Sequence, residues 1–128
     1  MTYYPSIEEV LEAHARLIER FGGAFGVRDQ KALESALARP QSGYYNDLLE
    51  QAAALLESIW QNHPFIDGNK RTAIAVTAAF LRVNNYQLEF GDLEAYGFLM
   101  RLERERRFRF KDLLPWLREH VKPALSDH

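Results

Sequence analysis

Within eleven consecutive residues, His63-Pro64-Phe65-Ile66-Asp67-Gly68-Asn69-Lys70-Arg71-Thr72-Ala73, the chain sets a histidine, a carboxylate, a glycine, an amide and two cations. Each type offers chemistry. His63 has a side chain whose reference pKa suits proton transfer near neutrality. Gly68 and Asn69 punctuate the chain, and Asn69 is the expected cap of a helix beginning at about Lys70. Such a helix end turns free N–H groups and a positive dipole end toward the preceding loop, and binds anions, phosphate above all. Lys70 and Arg71 add two full positive charges there. Asp67, opposite in sign, is placed to hold Mg²⁺, which takes one or two carboxylates together with phosphate oxygens. The set describes nucleotide and metal binding with a base at the edge. Taken singly, each residue also has a plain structural reading: a solvated helix start, a packed histidine, cations that touch nucleic acid or nothing.

Two elements must position this stretch. From Ala73 to Phe80 the residues are Ala, Ile, Ala, Val, Thr, Ala, Ala, Phe, apolar on nearly every face. This predicts a helix packed all round, running to Val83 and too short to span a membrane. Upstream, Leu48, Ala52, Leu55, Leu56 and Ile59 form the buried face of a helix from about Asp47 to Asn62. That helix delivers His63 at its C-terminal end, and Pro64 stops it. The order of helix, loop and buried helix sets the base opposite the anion-binding end.

The remaining elements are helical. Ser6-Ile7-Glu8-Glu9 is a capping box opening an amphipathic helix whose stripe runs through Ile7, Val10, Leu11, His14, Leu17, Ile18 and Phe21. His14 lies on the stripe and reads as a packed or boundary histidine. Gly22-Gly23 ends this helix. Asp29 caps a second, Gln30 to Arg39, terminated by Pro40. Residues 41–46 form a loop. Past Asn84-Asn85, Tyr86 to Phe90 is a short extended piece, and Asp92 caps a helix over Leu93 to about Leu102. Arg101 to Arg109 holds five arginines and two glutamates, read as a solvated face with helical ion pairs such as Glu103–Arg107. Phe108 and Phe110 alternate with arginines in a brief extended segment. Asp112 opens a last helix whose apolar side includes Leu113, Trp116, Leu117 and Val121, ended by Pro123. Ser126-Asp127-His128 is expected to fray. The fold class is all-α, a compact bundle of about six helices around a buried central one.

The 128 residues suit one domain. A net charge of −2 gives no overall argument for nucleic acid. Without cysteine there is no disulfide framework, thiol chemistry or Cys-ligated metal, which fits a reducing cytoplasm. The N-terminus shows no signal-peptide pattern.

The run His63-Pro64-Phe65-Ile66-Asp67-Gly68-Asn69-Lys70-Arg71 resembles the Fic/Doc family motif H-P-F-x-D/E-G-N-x-R. Most Fic members carry glycine after the asparagine and a second arginine three residues past the first; here Lys70 and Ile74 stand in those places. Asn-Lys-Arg-Thr-Ala is instead similar to the Doc, or death-on-curing, branch, the toxins of type II toxin–antitoxin pairs. Phe21-Gly22-Gly23, Val27-Arg28-Asp29, Leu33 to Pro40 and Phe80-Leu81-Arg82 also look Doc-like, so the resemblance covers roughly Tyr3 to Val121.

The resemblance implies a helical core and Mg-ATP at the helix mouth. Asp67 would hold Mg²⁺; Asn69, Lys70, Arg71 and the Gly68 backbone would bind phosphates; His63 would be the base; Phe65 would anchor the loop in the core. It further implies that residues 41–46 form a flap clamping a protein substrate. Lysine in place of glycine, and the loss of the second arginine, imply transfer of the γ-phosphoryl group to a threonine of elongation factor Tu, arresting translation in the cytoplasm. Asp-Gly-Asn leaves AMP transfer as the alternative. The family's internal inhibitory pattern is not found, so control is expected in trans from an antitoxin. Two other classes stand beside the enzyme: a degenerate Fic-fold binding module, and a nucleic-acid binder resting on the Arg101–Arg109 cluster alone.

Overall fold

The computed structural model describes residues 1–124. Six helices account for most of it: α1 (Ile7–Phe21), α2 (Gln30–Ala38), α3 (Leu48–Asn62), α4 (Asn69–Val83), α5 (Asp92–Arg104) and α6 (Phe110–His120). A 3₁₀ turn, Arg39–Gln41, follows α2, and two short strands, β1 (Tyr86–Leu88) and β2 (Val121–Pro123), pair antiparallel with Leu88 opposite Val121.

Local chemistry starts the helices where the sequence predicts. The Ser6 side chain accepts from Glu9 N–H while the Glu9 carboxylate accepts from Ser6 N–H, the reciprocal capping box. Asp29 caps α2 through Ala32 N–H, and Asp47 caps α3 through Glu50 N–H.

Helix α4 packs against α1, α3, α5 and β1. Its fully buried positions recur in pairs, Thr72–Ala73, Val76–Thr77 and Phe80–Leu81, and the faces between them are half-buried. The expectation of packing all round is corrected: α4 buries one stripe, half-buries the flanking faces and exposes Arg82 and Val83. Helix α3 is the more enclosed of the two: Ala52 to Leu56, Ser58, Ile59 and Trp60 are all buried. It touches α2, the 3₁₀ turn, α4 and α6, and with α4 it forms the spine of the core. Both lie in one cluster with Leu33, Phe65, Leu99, Leu113 and Leu117.

Several ends differ from the sequence reading. The last helix stops at His120, because Val121–Pro123 turns into strand pairing with β1, a partner more than 30 residues away in sequence that local pattern does not reveal. It begins at Phe110 rather than Asp112, and Phe108 is buried ahead of it in an irregular segment. Pro40 sits inside a 3₁₀ turn rather than closing the chain of helical bonds outright. Gly91, not Asp92, holds the N-cap position of α5. The expected fraying at Ser126-Asp127-His128 lies outside the described residues.

Candidate active site

The loop between α3 and α4 is fixed by main-chain bonds to the segment after α1. Arg28 and Asp29 donate their N–H groups to the Pro64 carbonyl, and Ile66 N–H donates to the Gly26 carbonyl. Val27 and Phe65 form an isolated antiparallel bridge. The Arg28 guanidinium reaches the last carbonyls of α3, at 2.7 Å from His63 O and 2.9 Å from Asn62 O. It thereby supplies a cation at a helix C-terminus. Phe65 is buried at 1% exposure and is the loop's core anchor.

His63 sits at the C-cap of α3 with φ 49 and ψ 56, a left-handed conformation uncommon for a residue with a Cβ. Its side chain is exposed and has no hydrogen-bond partner among the described residues. The backbone is held in this costly region by Arg28 on one side and by Pro64 on the other. The strain projects the imidazole out of the helix end.

Asp67 is also exposed. Its Oδ2 accepts from Ala24 N–H at 2.7 Å, and its other oxygen has no partner among the described residues. One oxygen therefore fixes the carboxylate while the other is available to a cation. No group of three metal-ligating side chains occurs among the described residues. The donor set fits Mg²⁺ arriving with phosphate oxygens rather than a cage built from protein.

Gly68, with φ 77, is the N-cap of α4, and Asn69 is already the first helical residue. This corrects the expected cap. The Asn69 side chain does not cap the helix; it bridges backward, accepting from Phe65 N–H at 2.8 Å and donating to Phe65 O at 2.9 Å. One amide N–H and one lone pair of the oxygen are thereby committed to the loop, which fixes the orientation of the side chain at the cleft. Gly68 brings no side-chain acceptor to the first-turn amides of α4, which stay open to an anion.

The two cations differ. Lys70 Nζ lies 2.7 Å from Glu103 Oε1, over the Trp60 ring at 5.5 Å. Glu103 also accepts from the Trp60 indole N–H. Burial pushes the Glu103 carboxyl up, but hydrogen bonds from Lys70 and Trp60 and the charges of Lys70 and His63 outweigh it and hold the group below the usual glutamate value. Arg71 has no carboxylate partner among the described residues; its guanidinium lies 4.0 Å from the Phe21 ring centroid and 5.2 Å from that of Tyr96. Those two rings hold it by cation–π attraction while its charge stays available. The expected Glu103–Arg107 pair does not form: Arg107 goes to Glu105 and Asp112.

His63, Asp67, Gly68, Asn69, Lys70 and Arg71 all line one open cleft of about 410 Å³, within the usual range for a small-molecule site. Gly22, Gly23, Phe21 and Tyr96 also line it, with Leu17, Ile18 and Ile66. None of residues 41–46 lines it. Tyr45 in that loop is tied by Arg39 Nε to its hydroxyl, and Tyr44 is 85% exposed. The segment that does run beside the motif loop is 22–29.

Sequence reasoning missed Arg28, Ala24, Tyr96 and Glu103 as parts of this site. All four act across long sequence separations, and of them only Arg28 fell in one of the short Doc-like runs, Val27-Arg28-Asp29.

The helical bundle thus brings a histidine-bearing loop, one carboxylate and an uncapped helix mouth with two cations into one cleft. The chain belongs to the Fic/DOC family, whose model matches residues 4–81. It is similar to Toxin Doc of Mycolicibacterium smegmatis, with 45% identity over 93 residues covering 69% of each chain. It is also similar to protein kinase doc of Escherichia phage P1, with 36% identity over 87 residues covering 65% of this chain and 69% of the relative.

Proposed function

We propose that the protein is a toxin-type kinase transferring the γ-phosphoryl group of ATP to a serine or threonine hydroxyl of a protein, with translation elongation factor Tu in the cytoplasm as target. The observation that carries the reading is the shared cleft, in which an exposed histidine, a half-fixed carboxylate and an uncapped helix N-terminus converge. The name of the phage P1 relative, a protein kinase, supports the phosphoryl class.

The residues divide the work. His63 accepts the proton of the substrate hydroxyl, a contribution of about 10²–10⁴-fold. The free oxygen of Asp67 would hold Mg²⁺, which would supply charge neutralisation at the phosphates. The first-turn amides of α4, with Arg71 and Lys70, bind phosphate oxygens and stabilise charge that develops during transfer. Mg-ATP, when bound, supplies the phosphoryl group. The toxin name of the mycobacterial relative supports control in trans by an antitoxin protein.

A second reading is AMP transfer: the bare Gly68 backbone, with φ 77 at the cleft, admits close approach of a phosphate without selecting which one. Mass spectrometry of elongation factor Tu incubated with the protein, Mg²⁺ and ATP separates the two. A phosphate-sized addition that disappears with His63→Ala supports the kinase. An AMP-sized addition replaces it with the second reading, and no addition to this target removes elongation factor Tu from the proposal.

A further inference from the structure

His14, on α1, is 3% exposed and far in sequence from the motif, yet its ring nitrogen Nε2 lies 2.7 Å from the main-chain oxygen of Asp67. A carbonyl oxygen only accepts, so Nε2 must carry the proton and donate. The ring is stacked on Phe65, centroids 3.8 Å apart and planes 6° from parallel, which fixes where that N–H points. We infer that His14 is a positioning residue of the candidate site, pinning the Asp67–Gly68 peptide so that the Asp67 carboxylate and the first-turn amides of α4 face the cleft.

The geometry gives that peptide a reason to need pinning. Gly68 has no side chain to resist rotation, and glycine accepts φ of either sign, so the peptide before it can turn over at small cost. Turning it over would take the Asp67 carbonyl off His14 and exchange the directions of that oxygen and the Gly68 N–H at the start of α4. Other main-chain groups of the loop are held by main chain or by Asn69: Pro64 O, Phe65 N and O, and Ile66 N. At Asp67 O the task falls to a side chain. Ile18, one turn along α1, closes the same corner: its Cδ1 would stand 3.1 Å from a Cβ at Gly68 and 3.2 Å from one at Gly23.

The inference rests on the nucleotide-binding reading for its consequence, but not for its geometry, and the test separates the two. Glutamine carries its amide nitrogen at about the reach of Nε2, whereas asparagine matches Nδ1 and phenylalanine keeps only the stacked ring. Titration calorimetry with Mg²⁺ and a non-hydrolysable ATP analogue is expected to show affinity within about threefold of the parent for His14→Gln. A loss of about tenfold is expected for His14→Asn and His14→Phe, the size of one hydrogen bond. NMR is expected to show a protonated Nε2 in the unsubstituted protein and a displaced Gly68 amide resonance in His14→Phe. An unprotonated Nε2, or a Gly68 resonance unmoved in His14→Phe, overturns the inference, as do equal losses for Gln and Asn. If the unsubstituted protein fails to bind the analogue, the nucleotide reading falls, and the two NMR observations still judge the role of His14.

Discussion

Lys70 reaches the cleft already engaged, its Nζ 2.7 Å from Glu103 Oε1 on the neighbouring helix α5. An incoming phosphate must share this lysine with a carboxylate, and that carboxylate itself repels the phosphate. Glu103→Gln removes the repulsion and frees the ammonium. At a partly exposed site the gain is about 1 kcal/mol, so nucleotide affinity is expected to rise about fivefold. A calorimetric titration reads it; weaker binding in the variant would mean that Glu103 holds Lys70 in its productive place.

The same carboxyl sets a pH dependence of stability. Its folded pKa is lowered, so its stabilising contribution is complete above the unfolded value of 4.5 and is lost as pH falls through the lower folded value. Melting temperatures of the parent and Glu103→Gln are expected to differ at pH 7 and to converge in strong acid. A gap that persists unchanged to low pH would assign the stabilisation to packing.

Asp47 caps α3 through Glu50 N–H at 2.9 Å and meets Arg118 of α6 at 3.0 Å. Burial raises this carboxyl, but the bonds from Glu50 N–H and Arg118 lower it further, so its contribution too is present above its unfolded value, 3.8, and lost in acid. Asp47→Ala is expected to cost about 1 kcal/mol in urea unfolding, chiefly from the lost cap. The Arg118 pair is about half exposed and adds little, so Arg118→Ala should change the midpoint much less.

Asn69 ties its own helix to the loop through both N–H and C=O of Phe65. Asn69→Asp keeps the acceptor but sets a second acceptor against the Phe65 oxygen. Stability is expected to drop by about 1–3 kcal/mol, and nucleotide binding to weaken with it. Near-parent unfolding together with lost binding would instead indicate a direct side-chain contact with the ligand.

Arg71→Lys keeps the charge but gives up the planar group between Phe21 and Tyr96 and the fork that grips phosphate oxygens. Turnover is expected to fall by at least about tenfold, a loss of about 1.4 kcal/mol, with the melting temperature nearly unchanged. Full activity in the lysine variant would reduce the role of Arg71 to that of a point charge.

The parts of the fold readable in the sequence are those decided within a turn or two of chain. Ser6 and Asp29 announce their helices because a cap bonds three residues ahead. The motif residues were readable as a set because they are contiguous, and the cleft gathers all six. What stayed hidden depends on rivals at long range. Glu103 had Arg107 four residues away and takes Lys70 thirty-three away, because the lysine and the Trp60 indole offer two donors in a partly buried place. Asn69 looked like a cap because asparagine is good at capping, but the Phe65 backbone offered it two bonds instead of one. His14 fitted the apolar stripe of α1, and periodicity cannot say which carbonyl a buried ring will meet.

The ends of the described chain share one address. Tyr3 exchanges two hydrogen bonds with the Asn84 side chain, and Ala124 N–H donates to Asn85 O, so both meet at the C-terminal end of α4. The cleft opens at the other end of that helix, about 20 Å along its axis. Dyes placed at positions 3 and 122 would therefore form a close pair that reports whether the fold is intact while staying clear of anything entering the cleft. A binding defect could then be told from an unfolding defect in a single sample.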